Sequence, residues 1–187
     1  LLSRYRTGES LRESGQNILE FRAGVIVGAG SLSFEMIRHL CERLPIMICP
    51  KWVFTKTQPI SITNVLEYLV GSITTDIPSN EIIEIGGKDV LSYGDMMKRF
   101  ASVRKLKRYL IPVPVLTPTL SSYWVHWTTP LSARIARPLV QSLKNESIVN
   151  KNTAEQYFPK INLISYDKAV TLAIDKLNSE HVETSWS

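Results

Sequence analysis

The stretch VIVGAGSLSFEMIRHL, Val25 to Leu40, decides how the chain is read. It has an apolar run, a glycine turn and the opening of an amphipathic helix. That is the order in which a dinucleotide-binding unit presents its phosphate loop. The full loop needs G-x-G-x-x-G. Gly28 and Gly30 fill the first two places, but Ser33 stands at the third. About 20 residues on, an acidic residue should close the next strand on the ribose hydroxyls. Pro50, Lys51 and Trp52 stand there instead. The segment before the strand, residues 3–14, reads as a helix closed by Gly15, so this strand does not open its sheet. The turn is therefore read as a strand-to-helix connection and not as the phosphate loop.

Outward from it, strands and helices alternate. NILEFRAGVIV is expected to form one largely apolar strand. Phe34, Ile37, Leu40, Cys41 and Leu44 repeat at helical spacing, with Ser33 as the expected cap and Pro45 beyond the end. IMIC reads as a strand, and WVFTKTQPISI as extended. VLEYLVGSI reads as a helix capped by Thr63 or Asn64. EIIEIGG alternates as a strand should. Ser92 opens a helix with Met96, Met97, Phe100 and Val103 on one face. RYLIPVPV is extended, 117–143 is helical in pieces, and Ser165 caps a last amphipathic helix. The pattern predicts an α/β fold with a partly parallel sheet.

Composition narrows the class. The chain has 187 residues, 44% hydrophobic and 21% charged, enough for a buried core without cross-links. The two cysteines, Cys41 and Cys49, give no disulfide framework and suggest a reduced, cytoplasmic setting. His39, His126 and His181 are scattered, so no metal site is expected. Leu110 to Trp127 is apolar but broken by Pro112, Pro114 and Pro118 and does not read as a membrane span. The N-terminus has no signal-peptide core and no initiator Met, so residue 1 is not expected to be the natural start. The net charge is +5, much of it from Lys98, Arg99, Arg104, Lys105, Lys107 and Arg108. This cluster reads as a solvated helix face and turn, with neither nucleic acid nor membrane expected as partner.

ILEFRAGVIVGAGSLSFEMIRHLCERLPIMICPKWVFTKTQPISITNVLEYLVG, then EIIEIGGKDVLSYGDMMKRFASVRKL and YLIPVPVLTPTLSSYWVHWTTPL, together resemble the extended and atypical short-chain dehydrogenases/reductases, in their nucleoside-diphosphate-sugar epimerase-like and NmrA-like branch. The resemblance covers nearly the whole chain and lies in the order of segments. It implies the C-terminal, substrate-side part of a Rossmann-like doubly wound parallel sheet with a small, mostly helical subdomain. On this reading residues 1–30 end the Rossmann-like domain, 31–187 form the substrate-side α/β region, and a strand near 81–87 completes the sheet. The cofactor implied for the intact protein is NAD or NADP. The chain alone, lacking the fingerprint, is expected to bind neither. The partner implied is the missing nucleotide-binding half or another copy of the chain.

The family's usual catalyst is Tyr-x-x-x-Lys on the helix before the FRAG strand, where Lys lowers the Tyr pKa. No tyrosine here has a lysine four places on. The resemblance puts Arg4 at the Lys position, where a permanently cationic guanidinium cannot act as a tunable base. An exposed helix charge is the simpler reading. Arg22 lies within an apolar strand and needs a partner: Glu20, another carboxylate or a ligand anion. Ala23, Gly24 and Val25 match the family segment that approaches the nicotinamide amide. Trp52, Thr57 and Gln58 match the segment crossing the substrate pocket, with Met36, Met47 and Tyr93 as further lining candidates, although apolar residues at such spacing are usually core. The intact protein is thereby expected to be an NAD(P)-dependent oxidoreductase or epimerase. The alternative is a non-catalytic NAD(P)H-binding regulatory or accessory protein of the same fold.

Overall fold

The computed structural model describes residues 2–113 and 145–179, with side chains from residue 5 onward. The helical pieces expected over 117–143 lie outside these residues. Helix α1 is Leu2–Glu13, and Gly15 follows with φ +76°. The expected single strand is two short ones, β1 (Glu20–Ala23) and β2 (Ile26–Val27). The reason is that they pair with different partners. β1 runs parallel to β6 (Ile82–Ile85) with Ala23 opposite Ile85, while β2 runs parallel to β5 (Ile60–Ser61).

Helix α2 is Leu32–Arg43, capped by Ser31 and not by Ser33. Ser31 Oγ accepts from the Phe34 amide and donates to the Ile26 carbonyl at 2.9 Å, so it ties the helix start to β2, which Ser33 does not. β3 (Ile46–Pro50) is followed by a single 3-10 turn, Lys51–Phe54, where an extended segment was expected, and then by β4 (Lys56–Thr57). Helix α3 (Ile62–Gly71) is capped by Ser61, against the expectation of Thr63 or Asn64. Asn64 is buried. Its amide donates to Asn162 O at 3.0 Å, and its carbonyl accepts from Ile164 N–H at 3.1 Å.

β7 (Leu91–Ser92) lies antiparallel to β4. It leads into α4 (Tyr93–Val103), where Ser92 and Asp95 form a reciprocal capping box. β8 (Tyr109–Val113) pairs in parallel with β3. The short helix α5 (Thr153–Tyr157) and α6 (Tyr166–Asn178), capped by Ser165, complete the described residues.

Two apolar clusters organise these elements. Phe34, Met36, Ile37 and Leu40 of α2 meet Met96, Met97 and Phe100 of α4 and Tyr166, Ala169, Val170 and Ala173 of α6. The second cluster covers the β1–β6 pair. Ile83 and Ile85 lie in it with Tyr68 of α3 and Phe158, and Phe21, Tyr68 and Phe158 stack with centroids 5.3–6.0 Å apart. Arg99 fastens α4 to α6. It donates to Asp167 at 2.8 Å and pairs with Asp89 at 3.0 Å, with its guanidinium over the Tyr166 ring.

Candidate functional site

In open parallel sheets ligands sit beyond the carboxyl ends of the strands, where helix and loop backbones converge. Here β1 and β6 end side by side at Ala23 and Ile85. Glycines follow both ends, Gly24 on one strand and Gly86–Gly87 on the other. A Cβ at Gly24 would stand 3.0 Å from Ser147 and from Thr57 Oγ1, and one at Gly86 would stand 2.6 Å from Gln58 Cδ. Thr57 and Gln58 therefore close directly over the glycines. The Gln58 amide Nε2 donates to Gly87 O at 2.7 Å and its Oε1 accepts from the Val149 N–H at 3.1 Å. Its backbone N–H donates to Ser147 O at 2.9 Å. Thr57 Oγ1 adds a bond to Ser147 O at 3.4 Å. These two residues bind segment 147–149 to the sheet end.

Glu20 and Arg22 alternate with the core residues Phe21 and Ala23 along β1 and meet α1. Gly8 gives Glu20 room: a Cβ there would meet its carboxylate. Glu20 bonds Arg12 and accepts from Arg22 Nε at 2.7 Å. Burial pushes the Glu20 carboxyl up, but Arg22 and Arg12 outweigh it and hold its pKa below the usual value. The hydrogen bond to Glu20 raises the Arg22 pKa in turn. The Arg22 guanidinium sits 5.6 Å from the Tyr5 ring centroid, a cation–π distance. Its Nη2 is buried and has no hydrogen-bond partner among the described residues. Arg4 falls in the first turn of α1, and its side chain lies outside the described residues.

The remaining candidates gather in the first core. Met36, Met47 and Tyr93 are almost fully buried, and Trp52 packs partly buried against them. Burial pushes the Tyr93 hydroxyl up to about 12, partly offset by Ser33 beside it. The Tyr93 hydroxyl and Trp52 Nε1 have no hydrogen-bond partner of good geometry among the described residues. The structure thus brings Gly24, Thr57 and Gln58 together at the sheet end, keeps Arg22 on the α1 face, and seats Met36, Trp52 and Tyr93 around α2 and α4.

Glu35 was missed by sequence reasoning. It is buried on the first turn of α2, where its Oε1 accepts from the Gly30 N–H at 3.4 Å and its Oε2 accepts from Arg38 at 2.6 Å. The signal was there: Glu35, Arg38 and Glu42 stand at the i, i+3 and i+4 spacings of helix ion pairs. Ser147 and Val149 carried no such signal. Among the described residues no group of three or more His, Cys, Asp or Glu could hold a metal ion, and no helix is long and apolar enough to cross a membrane.

No protein-family model matches the chain, and no curated protein matches it in sequence. Solved structures do match in three dimensions. UDP-glucose 4-epimerase from Thermotoga maritima, solved with UDP-glucose, superposes with a TM-score of 0.66 at 10% identity, over 96% of this chain and 53% of that one. dTDP-4-dehydrorhamnose reductase from Bacillus anthracis, in complex with NADP, gives 0.65 at 12% identity, over 94% and 54%. UDP-glucuronic acid 4-epimerase from Bacillus cereus, with UDP-glucuronic acid and NAD, gives 0.62 at 12% identity, over 96% and 51%. The chain spans about half the length of the solved structures it matches. Its mixed α/β arrangement of six described helices and short, mostly parallel strand pairs is accordingly the Rossmann-like fold of these epimerases and reductases, over the part of them that it covers.

Proposed function

We propose that the chain is the substrate-side half of an NAD(P)-dependent oxidoreductase or epimerase, with residues 1–30 on the nucleotide side and 31–187 on the substrate side. The observation that carries this is the paired carboxyl ends of β1 and β6, with Arg22–Val25 at their edge. Arg22 suits a cofactor oxygen, because its buried Nη2 lacks an acceptor. A bound nicotinamide would supply hydride-transfer chemistry. Arg22 and the backbone of Ala23–Val25 would hold and orient its end of the cofactor, and Thr57 and Gln58 fix the loop 147–149 beside them. The reduced thiols Cys41 and Cys49, both free and buried, suit a cytoplasmic protein.

The nucleotide-binding half is the partner. Among the described residues β1 pairs on one edge only. α3 presents Ile62, Leu66, Leu69 and Val70, continued by Ile73, as an exposed stripe at helical spacing. A second parallel strand and its helix would cover both. Light scattering reads the rival, self-association through the same stripe, as a dimer.

The non-catalytic reading is favoured by Arg4, which the family resemblance aligns with the Lys of Tyr-x-x-x-Lys and whose guanidinium cannot serve as a tunable base. The test uses the longest product its gene encodes. Micromolar NADPH binding that falls at least about tenfold in Arg22→Ala supports the cofactor role. Binding unchanged by Arg22→Ala removes it. Binding without turnover of any carbonyl or nucleotide-sugar substrate selects the regulatory alternative.

A further inference from the structure

Among the described residues nothing covers the outer face of the β3–β8 pair. Register places Ile46 beside Tyr109 and Ile48 beside Ile111, and all four point away from the core. They are 56%, 64%, 49% and 49% exposed, while the alternate residues Met47 and Cys49 are buried. Four adjacent large apolar side chains on a two-stranded sheet form a patch, unlike isolated surface apolars.

Cations outnumber anions around this patch: the Glu42 carboxylate, at the start of the strands, is paired with Arg38 and Arg104. No Asp or Glu occurs from residue 43 to 66 or from 96 to 145. Arg43, Lys51, Lys105 and Lys107 are exposed at the two ends of the strands. Lys105 and Lys107 make no ion pair among the described residues. A flat face of three isoleucines and a tyrosine, rimmed by cations, matches a bilayer surface carrying anionic lipid. The apolar side chains enter the headgroup boundary, tyrosine suits that depth, and the lysines meet the negative surface potential. A second copy of the same face would bring like charges together. Nucleic acid would leave the isoleucines without a role.

We propose that the β3–β8 face docks the protein peripherally on anionic membrane. The test is cosedimentation with vesicles of phosphatidylcholine containing phosphatidylglycerol, against vesicles of phosphatidylcholine alone. Binding should require the anionic lipid and weaken with salt. The double substitution Lys105→Glu, Lys107→Glu should lower partitioning more than about tenfold. Ile48→Glu with Ile111→Glu should abolish it at an unchanged Tm, whereas Leu69→Glu on α3 should leave it intact. Four results overturn the proposal. The first is no binding to anionic vesicles. The second is a large fall in Tm for Ile48→Glu with Ile111→Glu, which means the folded chain already covers the face. The third is a dimer that Ile48→Glu dissociates. The fourth is binding to a DNA duplex that the lysine pair abolishes and the isoleucine pair does not.

Discussion

Replacing Gly87 by alanine tests the construction of the sheet end. A Cβ at Gly87 would overlap the Pro59 carbonyl oxygen and stand 3.0 Å from its carbon and 3.2 Å from Ile60 Cα. All three are backbone atoms, so no rotamer change relieves the contact. Ile60 is also fixed by its pairing with Ile26 and by its N–H bond to Val25 O at 2.8 Å. The strand must move, and the Gln58 bond to Gly87 O lengthens with it. Overpacking of this kind costs about 1–3 kcal/mol, and a lost hydrogen bond about 1 kcal/mol more. A total of about 3 kcal/mol in a chain of this size lowers Tm by roughly 6–12 °C. Gly15→Ala is the control. It adopts φ +76° with nothing within 4 Å of the new methyl, so only backbone strain of about 1 kcal/mol applies. Thermal denaturation followed by circular dichroism reads both. A Gly87→Ala protein melting within about 2 °C of wild type would refute the argument that the two backbones touch there.

Three further outcomes are expected. Arg99→Ala should lower Tm. Burial raises the Asp89 carboxyl, but the Tyr166 N–H and Arg99 outweigh it and hold its pKa down, so its stabilisation is full above the ordinary aspartate value and is lost as pH falls through the lowered one. Urea melts of wild type and variant should therefore draw together only as pH falls from about 4 through the lowered pKa, and stand apart above it. Burial and neighbouring Arg38 depress the His39 pKa, so the unfolded chain takes up the proton first and stability declines as pH falls below about 6.5; His39→Gln should flatten that slope. Burial pushes the Cys41 and Cys49 thiols to about 12 and about 11, so Ellman's reagent at pH 8 should find neither in the folded protein and both after denaturation.

What the sequence disclosed was what local chemistry decides. The Ser92 and Ser165 caps, the alternation of Ile82–Ile85 and the Met96–Phe100 face depend on neighbours within a turn or two. The errors arose where a distant residue outbid a near one. Asn64 resembles a cap, yet its amide is claimed by Asn162 and Ile164 nearly a hundred residues away, and Ser61 caps instead. The apolar run from Ile18 to Val27 resembles one strand, yet Gly24 divides it because residues 82–85 and 60–61 each take a part. The candidate site shows the same division. Arg22 found the nearest carboxylate, Glu20, as its position suggested. Gln58 is satisfied by Gly87 and Val149, which no spacing rule connects to it.

The glycine turn carries this division into the chemistry of the site. A phosphate loop works because the first N–H groups of a helix are left for an anion. At the start of α2 the Phe34 and Gly30 N–H groups are met by the chain itself. Ser31 Oγ accepts from Phe34, and Glu35 turns its carboxylate back toward the Gly30 N–H. Arg38 holds that carboxylate at 2.6 Å, with His39 at 3.6 Å behind it. A negative group built into the helix already faces the Gly30 N–H, and a second anion there would meet its repulsion. Gly28 has a packing reason of its own, since a Cβ would stand 2.7 Å from Ile62 Cγ2 at the start of α3. Both glycines of the motif are thus explained without a nucleotide: Gly30 by a turn at φ +74° and Gly28 by the close approach of α3. The cofactor role proposed above accordingly falls to the sheet end beside Arg22 and not to the turn that resembles a fingerprint.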